Sequence, residues 1–173
     1  MLKKSKADRP TDRVCPFQFT APLENPERIV GLGFRYWMLG RTTGDLRSWE
    51  RAWDLYSGAF GVAGGRQALT HLSTWTSIMA RNSCRRIEVN GATSNNFCRD
   101  ECVAISMIAA CQHQTCPAMR ACAFALIETS EIDGVVAHAQ DFATTLAGLD
   151  HVLSPGSIVN TAGGLAVARG MPN

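Results

Sequence analysis

The segment SEIDGVVAHAQDFATTLAGL, residues 130–149, carries the clearest fold signal in the chain. Its apolar side chains recur every three or four residues and form one stripe on a helix: Ile132, Val135, Val136, Ala139, Phe142, Ala143, Leu146 and Leu149. Such a stripe is typical of a helix that packs one face against a core. Ser130 can cap its start. The segment therefore predicts an amphipathic helix inside a helical domain.

Similar spacing predicts helices in the chain before it, over about 25–40, 45–57, 66–81, 94–111 and 117–129. Asn25-Pro26 and Asp45 are typical helix starts. The glycines of residues 58–65 separate the second helix from the third, and Asn90-Gly91 predicts a loop or short extended piece. Strong strand signals are absent. The sequence therefore predicts an all-α, single-domain bundle of about five to six helices.

The predicted domain organisation has three parts. Residues 1–24 are charged, contain prolines and lack a period, so they predict a flexible N-terminal arm. Residues 25–153 form the helical domain, and residues 154–173, rich in glycine and small side chains, predict a flexible C-terminal tail. A chain of 173 residues has room for one domain with a substantial core.

Composition narrows the classes of partner. Charged residues make up 18% of the chain, so the surface either carries many neutral polar groups or is partly covered by another protein or a second copy of the chain. The net charge of +2 makes nucleic acid a weaker candidate than protein. No apolar stretch approaches the roughly 20 residues of a membrane span. No apolar export segment follows the basic start, so we expect a cytoplasmic protein.

Cysteines supply the main chemical signal. Six of the seven lie between Cys84 and Cys122, and the candidate metal ligands are Cys98, Cys102, Cys111, His113, Cys116 and Cys122. An odd number of cysteines in a cytoplasmic protein favours reduced thiols or metal ligands over a disulfide framework.

Spacing divides these candidates into two groups. Cys98 and Cys102 lie four apart in a predicted helix, so their side chains can share one metal ion. A turn between two helices can bring the remaining candidates together: Cys111, His113, Cys116 and Cys122. Three cysteines with a histidine suit zinc, and four thiolates suit zinc or an iron–sulfur cluster. The alternative is that no cofactor is bound and the cysteines are core residues, because free cysteine packs as a small hydrophobe.

Cys116 has a separate potential role as a redox thiol. It precedes Pro117, a typical first helical residue, so it is expected at the N-cap of the next helix. The helix dipole would favour its thiolate there, and a second cysteine could resolve the oxidised form.

A third group of candidates is basic. Arg81, Arg85 and Arg86, with Arg66 upstream, form the densest basic patch and are the predicted partner-binding residues. The four tryptophans are expected in the core, and any that are exposed would mark a partner surface. No serine or cysteine shows a recognisable pairing with a histidine and an acid, so an enzyme is the least favoured class.

A family resemblance spans about the middle half of the chain. Residues 60–66, Trp75, the segment 79–81, Arg85-Arg86-Ile87 and Asp100-Glu101 resemble small bacterial helical proteins of a domain-of-unknown-function family. In those proteins a cysteine-bearing segment also follows the arginines. The resemblance implies a helical fold and assigns no activity, ligand or residue role.

Two functions remain open on the sequence. The first is a cytoplasmic protein with a metal-binding or thiol-redox regulatory role at its cysteine cluster. The second is a metal-free module that binds protein or nucleic acid through an aromatic helix face or through the arginine patch.

Overall fold

The computed structural model describes residues 25–158, which fold into helices without a β-strand. The helices are α1 (Pro26–Thr43), α2 (Leu46–Asn82), α3 (Arg99–Gln112), α4 (Cys116–Ile127) and α5 (Asp133–Gly148). The predicted all-α bundle is confirmed. None of these helices combines the length and apolar character that crossing a bilayer requires. The predicted arm over 1–24, and residues 159–173 of the predicted tail, lie outside the described residues.

Local chemistry starts the first two helices where the sequence predicts. The Asn25 side chain accepts a hydrogen bond from the Arg28 backbone N–H at 3.1 Å, and Pro26 is the first helical residue. Asp45 caps α2 by accepting from the Arg47 N–H at 3.1 Å. Each side chain satisfies a backbone donor that the helix leaves unpaired.

Helix α2 bends sharply at Gly61, where φ is 72° and ψ is 173°. We call residues 46–60 the first arm and residues 62–82 the second arm. The arms fold back so closely that a Cβ on Gly65 would lie 2.8 Å from the backbone nitrogen of Ser57. The break predicted within residues 58–65 is therefore a single left-handed residue, a conformation that favours glycine.

Several predicted helix boundaries were wrong. The third predicted helix, expected to begin near Arg66, begins at residue 62 as the second arm of α2. Helix α3 begins at Arg99 rather than near Ser94, because residues 94–98 are held in a loop. Arg35 of α1 donates to two backbone oxygens of this loop, and the Glu101 carboxylate accepts from the Cys98 N–H. Helix α4 ends at Ile127 rather than near 129, since the next residue takes a left-handed conformation. Helix α5 begins at Asp133 instead of just after Ser130.

Helix α3 occupies the centre of the bundle. Its residues 100–111 are all buried, and it packs against α1, α4 and α5. The second arm of α2 packs against α5 through aromatic side chains. The centroid of the Trp75 ring lies 5.7 Å from that of Phe34 in α1 and 6.0 Å from that of Phe142 in α5. The apolar stripe that predicted α5 provides the buried face of that helix.

A buried ion pair fastens the loop over 83–98 to the bundle. Arg35 of α1 and Glu101 of α3 both have fully buried side chains, and their Nε and Oε1 atoms are 2.6 Å apart. Arg35 also donates to the backbone oxygens of Ser94 and Asn96, at 2.8 and 2.6 Å. The pair therefore fixes both the packing of α1 on α3 and the path of the loop.

The segment 151–158, which we call the strap, crosses the bundle after α5. Gln112 accepts from the Leu153 N–H at 2.8 Å. The Glu27 carboxylate accepts from the Ser154 N–H at 2.6 Å and from the Ser157 hydroxyl at 3.0 Å. The Ser157 carbonyl accepts from the Ser106 hydroxyl of α3 at 2.6 Å, so residues 154–158 of the predicted tail are bonded to α1 and α3.

Candidate functional site

The first predicted metal pair lies at the start of α3. Cys98 is the N-cap residue, and its thiol donates to the Glu88 carbonyl at 3.3 Å. Burial and the charge of Glu101 raise the pKa of Cys98 to about 11, so it stays protonated near neutrality. Cys102, one turn further, is buried and disulfide-bonded, and none of the other described cysteines is its partner.

That disulfide changes what Cys102 can do. A sulfur in a disulfide is not a thiolate and cannot act as the second metal ligand in this state. The cytoplasmic location stays a prediction.

The second predicted group surrounds the turn between α3 and α4. Cys111 and Cys122 are buried in the core, whereas Cys116 is exposed. Burial and, to a smaller extent, the charge of Cys122 raise the pKa of Cys111 to about 12. The Nε2 atom of His113 instead lies 2.8 Å from the Leu153 carbonyl of the strap.

Residues 25–158 contain no group of three or more histidine, cysteine or acidic side chains arranged to hold a metal ion. The zinc and iron–sulfur hypotheses stay predictions. Of the predicted ligands, Cys111 and Cys122 are both buried, and the charge of Cys122 contributes to the raised pKa of Cys111.

Cys116, the predicted redox thiol, sits one position further along than expected. Thr115 is the N-cap residue of α4 and Cys116 is the first helical residue, ahead of Pro117. It remains an exposed free thiol, as does Cys84.

These positions predict a graded thiol reactivity. With iodoacetamide near neutral pH, Cys84 and Cys116 should alkylate first, because they are exposed. Cys98 and Cys111 should react at least about tenfold more slowly, since only the thiolate attacks and their raised pKa values suppress it. Peptide mass spectrometry over time would measure the order. Raising the pH to about 10 should accelerate Cys98 before Cys111, and fast neutral-pH labelling of Cys111 would contradict the structure.

One of the three residues of the predicted arginine patch, Arg85, forms an ion pair within the fold. Both terminal nitrogens of Arg85 lie 2.7 Å from the Asp100 carboxylate, and one also donates to the Ala125 carbonyl. This hydrogen bonding raises the pKa of Arg85. Arg81 and Arg86 are exposed. Arg85 is therefore occupied within the fold, and two of the three predicted partner-binding residues face solvent.

A groove of about 380 Å³, which we call the tryptophan groove, lies between α1 and the two arms of α2. Helix α1 supplies Trp37 and the first arm supplies Trp53, both half-buried. The second arm supplies the remaining lining residues: Arg66, Leu69, Thr70, Ser73 and Thr74. The bend at Gly61 brings these three stretches of helix together.

Arg66 gives the groove its charge. It is the one ionisable side chain among the described lining residues, and it is exposed. The hydroxyls of Thr70 and Thr74 donate to carbonyls of their own helix at 2.9 and 3.0 Å. Each of these hydroxyls can then only accept further hydrogen bonds. The groove thus combines indole surface, one cation and hydrogen-bond acceptors.

The sequence indicates the residues of this groove but not their arrangement. Trp37 and Trp53 were expected in the core or on a partner surface, and Arg66 was grouped with the arginine patch. The bend that sets Arg66 beside the two indoles depends on the conformation of one glycine within residues 58–65. The glycine-rich segment was the only sequence signal of that arrangement.

Comparison with known proteins adds no relative: no family model, no curated protein and no solved structure matches the chain. The resemblance to a domain-of-unknown-function family stays a prediction.

Proposed function

We propose that this chain is a protein-docking module that binds a segment of a partner protein in the tryptophan groove. The observation that carries the proposal is the juxtaposition of Trp37 and Trp53 with the exposed Arg66. Tryptophan and arginine are enriched in protein interfaces and among the residues that dominate binding energy. An indole also supplies a large contact area with few rotatable bonds.

The chemistry of the lining favours binding over catalysis. Nucleophilic and acid–base catalysis require an activated group with a base or acid within hydrogen-bond reach. The Arg66 guanidinium can only donate hydrogen bonds, and the hydroxyls of Thr70 and Thr74 are engaged with the helix backbone. The described lining residues include no carboxylate, histidine or cysteine.

The docking proposal corresponds to the aromatic helix face that the sequence offered as an alternative to metal chemistry. It does not require Arg81, Arg85 or Arg86. Because Arg85 is bonded to Asp100, two of the three arginines of the patch face solvent. The aromatic surface at Trp37 and Trp53 remains partly accessible.

Selection from a random peptide display library tests the proposal. We expect the full chain to enrich peptides whose dissociation constants rise at least about tenfold in Trp53→Ala, since loss of a central aromatic contact often costs 2 kcal/mol or more. Phe124→Ala is the matched control, because Phe124 is 52% exposed and lies on α4 outside the groove.

Circular dichroism would establish that both variants remain folded. Enrichment of no binding peptide, or equal binding by Trp53→Ala and the unmodified chain, would refute docking in the groove.

A further inference from the structure

The chemistry of the groove also indicates what kind of segment docks there, an inference that rests on the proposed function. We propose that the occupant is an acidic segment of a partner protein with one apolar anchor residue. The anchor lies between Trp37 and Trp53 above Leu69, and a neighbouring carboxylate binds Arg66.

The cation is available for this role. Arg66 is exposed and forms no hydrogen bond or ion pair through its side chain within residues 25–158. Other arginines are already engaged: Arg85 with Asp100, Arg120 with Asp133, and Arg41 with the Ser77 hydroxyl. A free guanidinium favours a carboxylate, which it can bind through two parallel hydrogen bonds. The described lining residues supply no carboxylate of their own, and an acidic occupant would provide one.

The anchor site follows from the apolar part of the lining. Leu69 is buried, and Trp37 and Trp53 are each half-buried. The Trp37 ring is supported by Trp49, with 6.2 Å between their centroids, and Trp49 in turn packs against Gly40. An aliphatic or aromatic side chain placed here would bury apolar surface at about 25 cal/mol per Å².

The polar row along the second arm favours an extended segment. Arg66, Thr70 and Thr74 follow one another at intervals of four residues, so the row is about 12 Å long at 1.5 Å per residue. That length matches about four residues of extended chain at roughly 3.3 Å each. An extended chain presents free backbone N–H groups, and the Thr70 and Thr74 hydroxyls are acceptors. A helical segment would keep those donors for itself.

Nucleic acid fits the same groove less well. A base could stack on an indole, but the sugar–phosphate backbone is neutralised by several lysines or arginines in known modes of binding. The described lining residues supply one cation, Arg66. A single carboxylate beside an apolar anchor matches that charge, whereas a run of phosphates does not.

Four synthetic peptides without tryptophan test the inference: an acidic peptide with a central leucine, the same with serine for leucine, and the two lysine counterparts. We expect the acidic leucine peptide to bind at least about tenfold more tightly than the other three. Indole N–H signals in ¹⁵N-labelled full chain should shift for Trp37 and Trp53. The fully buried Trp75 provides an internal reference that should not move.

Charge reversal supplies the decisive comparison. Arg66→Glu should weaken binding of the acidic leucine peptide at least about tenfold and improve binding of its lysine counterpart. Arg86→Glu, which reverses an exposed arginine of the patch, should change either affinity less than about twofold.

The outcomes separate the two proposals. If library-selected peptides are neutral or basic and still depend on Trp53, docking stands and the acidic occupant is refuted. If no peptide binds, the docking function itself fails. Tighter binding of a single-stranded oligonucleotide than of the acidic peptide, lost in Arg66→Glu, would overturn the protein occupant in favour of nucleic acid.

Discussion

Replacing Glu101 with glutamine should lower the free energy of unfolding by about 3–5 kcal/mol, the usual cost of removing one partner from a buried ion pair. Arg35 would remain fully buried with its charge uncompensated. The backbone N–H groups of Asn90 and Cys98, which donate to the Glu101 carboxylate at 3.2 and 2.7 Å, would lose a charged acceptor. Urea unfolding followed by circular dichroism would measure the loss.

The matched control is Asp133→Asn, which breaks the exposed ion pair with Arg120 at the surface. The Arg120 side chain is 52% exposed and the Asp133 side chain is 86% exposed, so this change should cost less than about 1 kcal/mol. A Glu101→Gln variant as stable as the Asp133→Asn control would contradict the role assigned to this pair.

Introducing a methyl group at Gly65 should open the bend of α2 and destabilise the chain by about 1–3 kcal/mol. The added Cβ would lie 2.8 Å from the Ser57 nitrogen and 2.9 Å from its Cα. These are backbone atoms of the first arm, so no side-chain rotation relieves the contact. The arms would have to separate, and the distance between Trp53 and Arg66 across the tryptophan groove would change with them.

Gly58→Ala is the control for Gly65→Ala, because a Cβ there meets nothing within 4 Å and Gly58 also lies inside α2. Alanine favours the helix over glycine by about 1 kcal/mol, so Gly58→Ala should be neutral or stabilising. Thermal unfolding of the two variants measures the contrast. Equal stability of both would mean that the arms do not pack as closely as the structure places them.

The sequence predicted those parts of the fold that depend on neighbouring residues. The caps at Asn25 and Asp45 act over two or three residues, and the stripe of α5 repeats within one helix. Asp100 and Glu101, by contrast, form ion pairs that the sequence does not indicate. Their partners Arg85 and Arg35 lie 15 and 66 residues away, a pairing that no local pattern encodes.

The same distinction applies to the candidate site. Cys98 and Cys102 are one turn apart as their spacing predicts, but a disulfide and a thiol hydrogen bond decide their chemistry. The tryptophan groove is formed by three separate stretches of helix. Its shape depends on the angle between two of them, the arms of α2. That angle is a tertiary property, set where the arms of α2 pack around Gly65.

The strap has a consequence for how the chain is made. Glu27, in the first turn of α1, takes its hydrogen bonds from Ser154 and Ser157, which lie 127 and 130 residues later. During synthesis on the ribosome, α1 therefore emerges long before the segment that completes its bonding. Contacts of such large sequence separation form late, because the intervening chain must first be ordered. The strap is the last part of the described fold to leave the ribosome. It thus completes the hydrogen bonding of α1, the first helix of that fold to be synthesised.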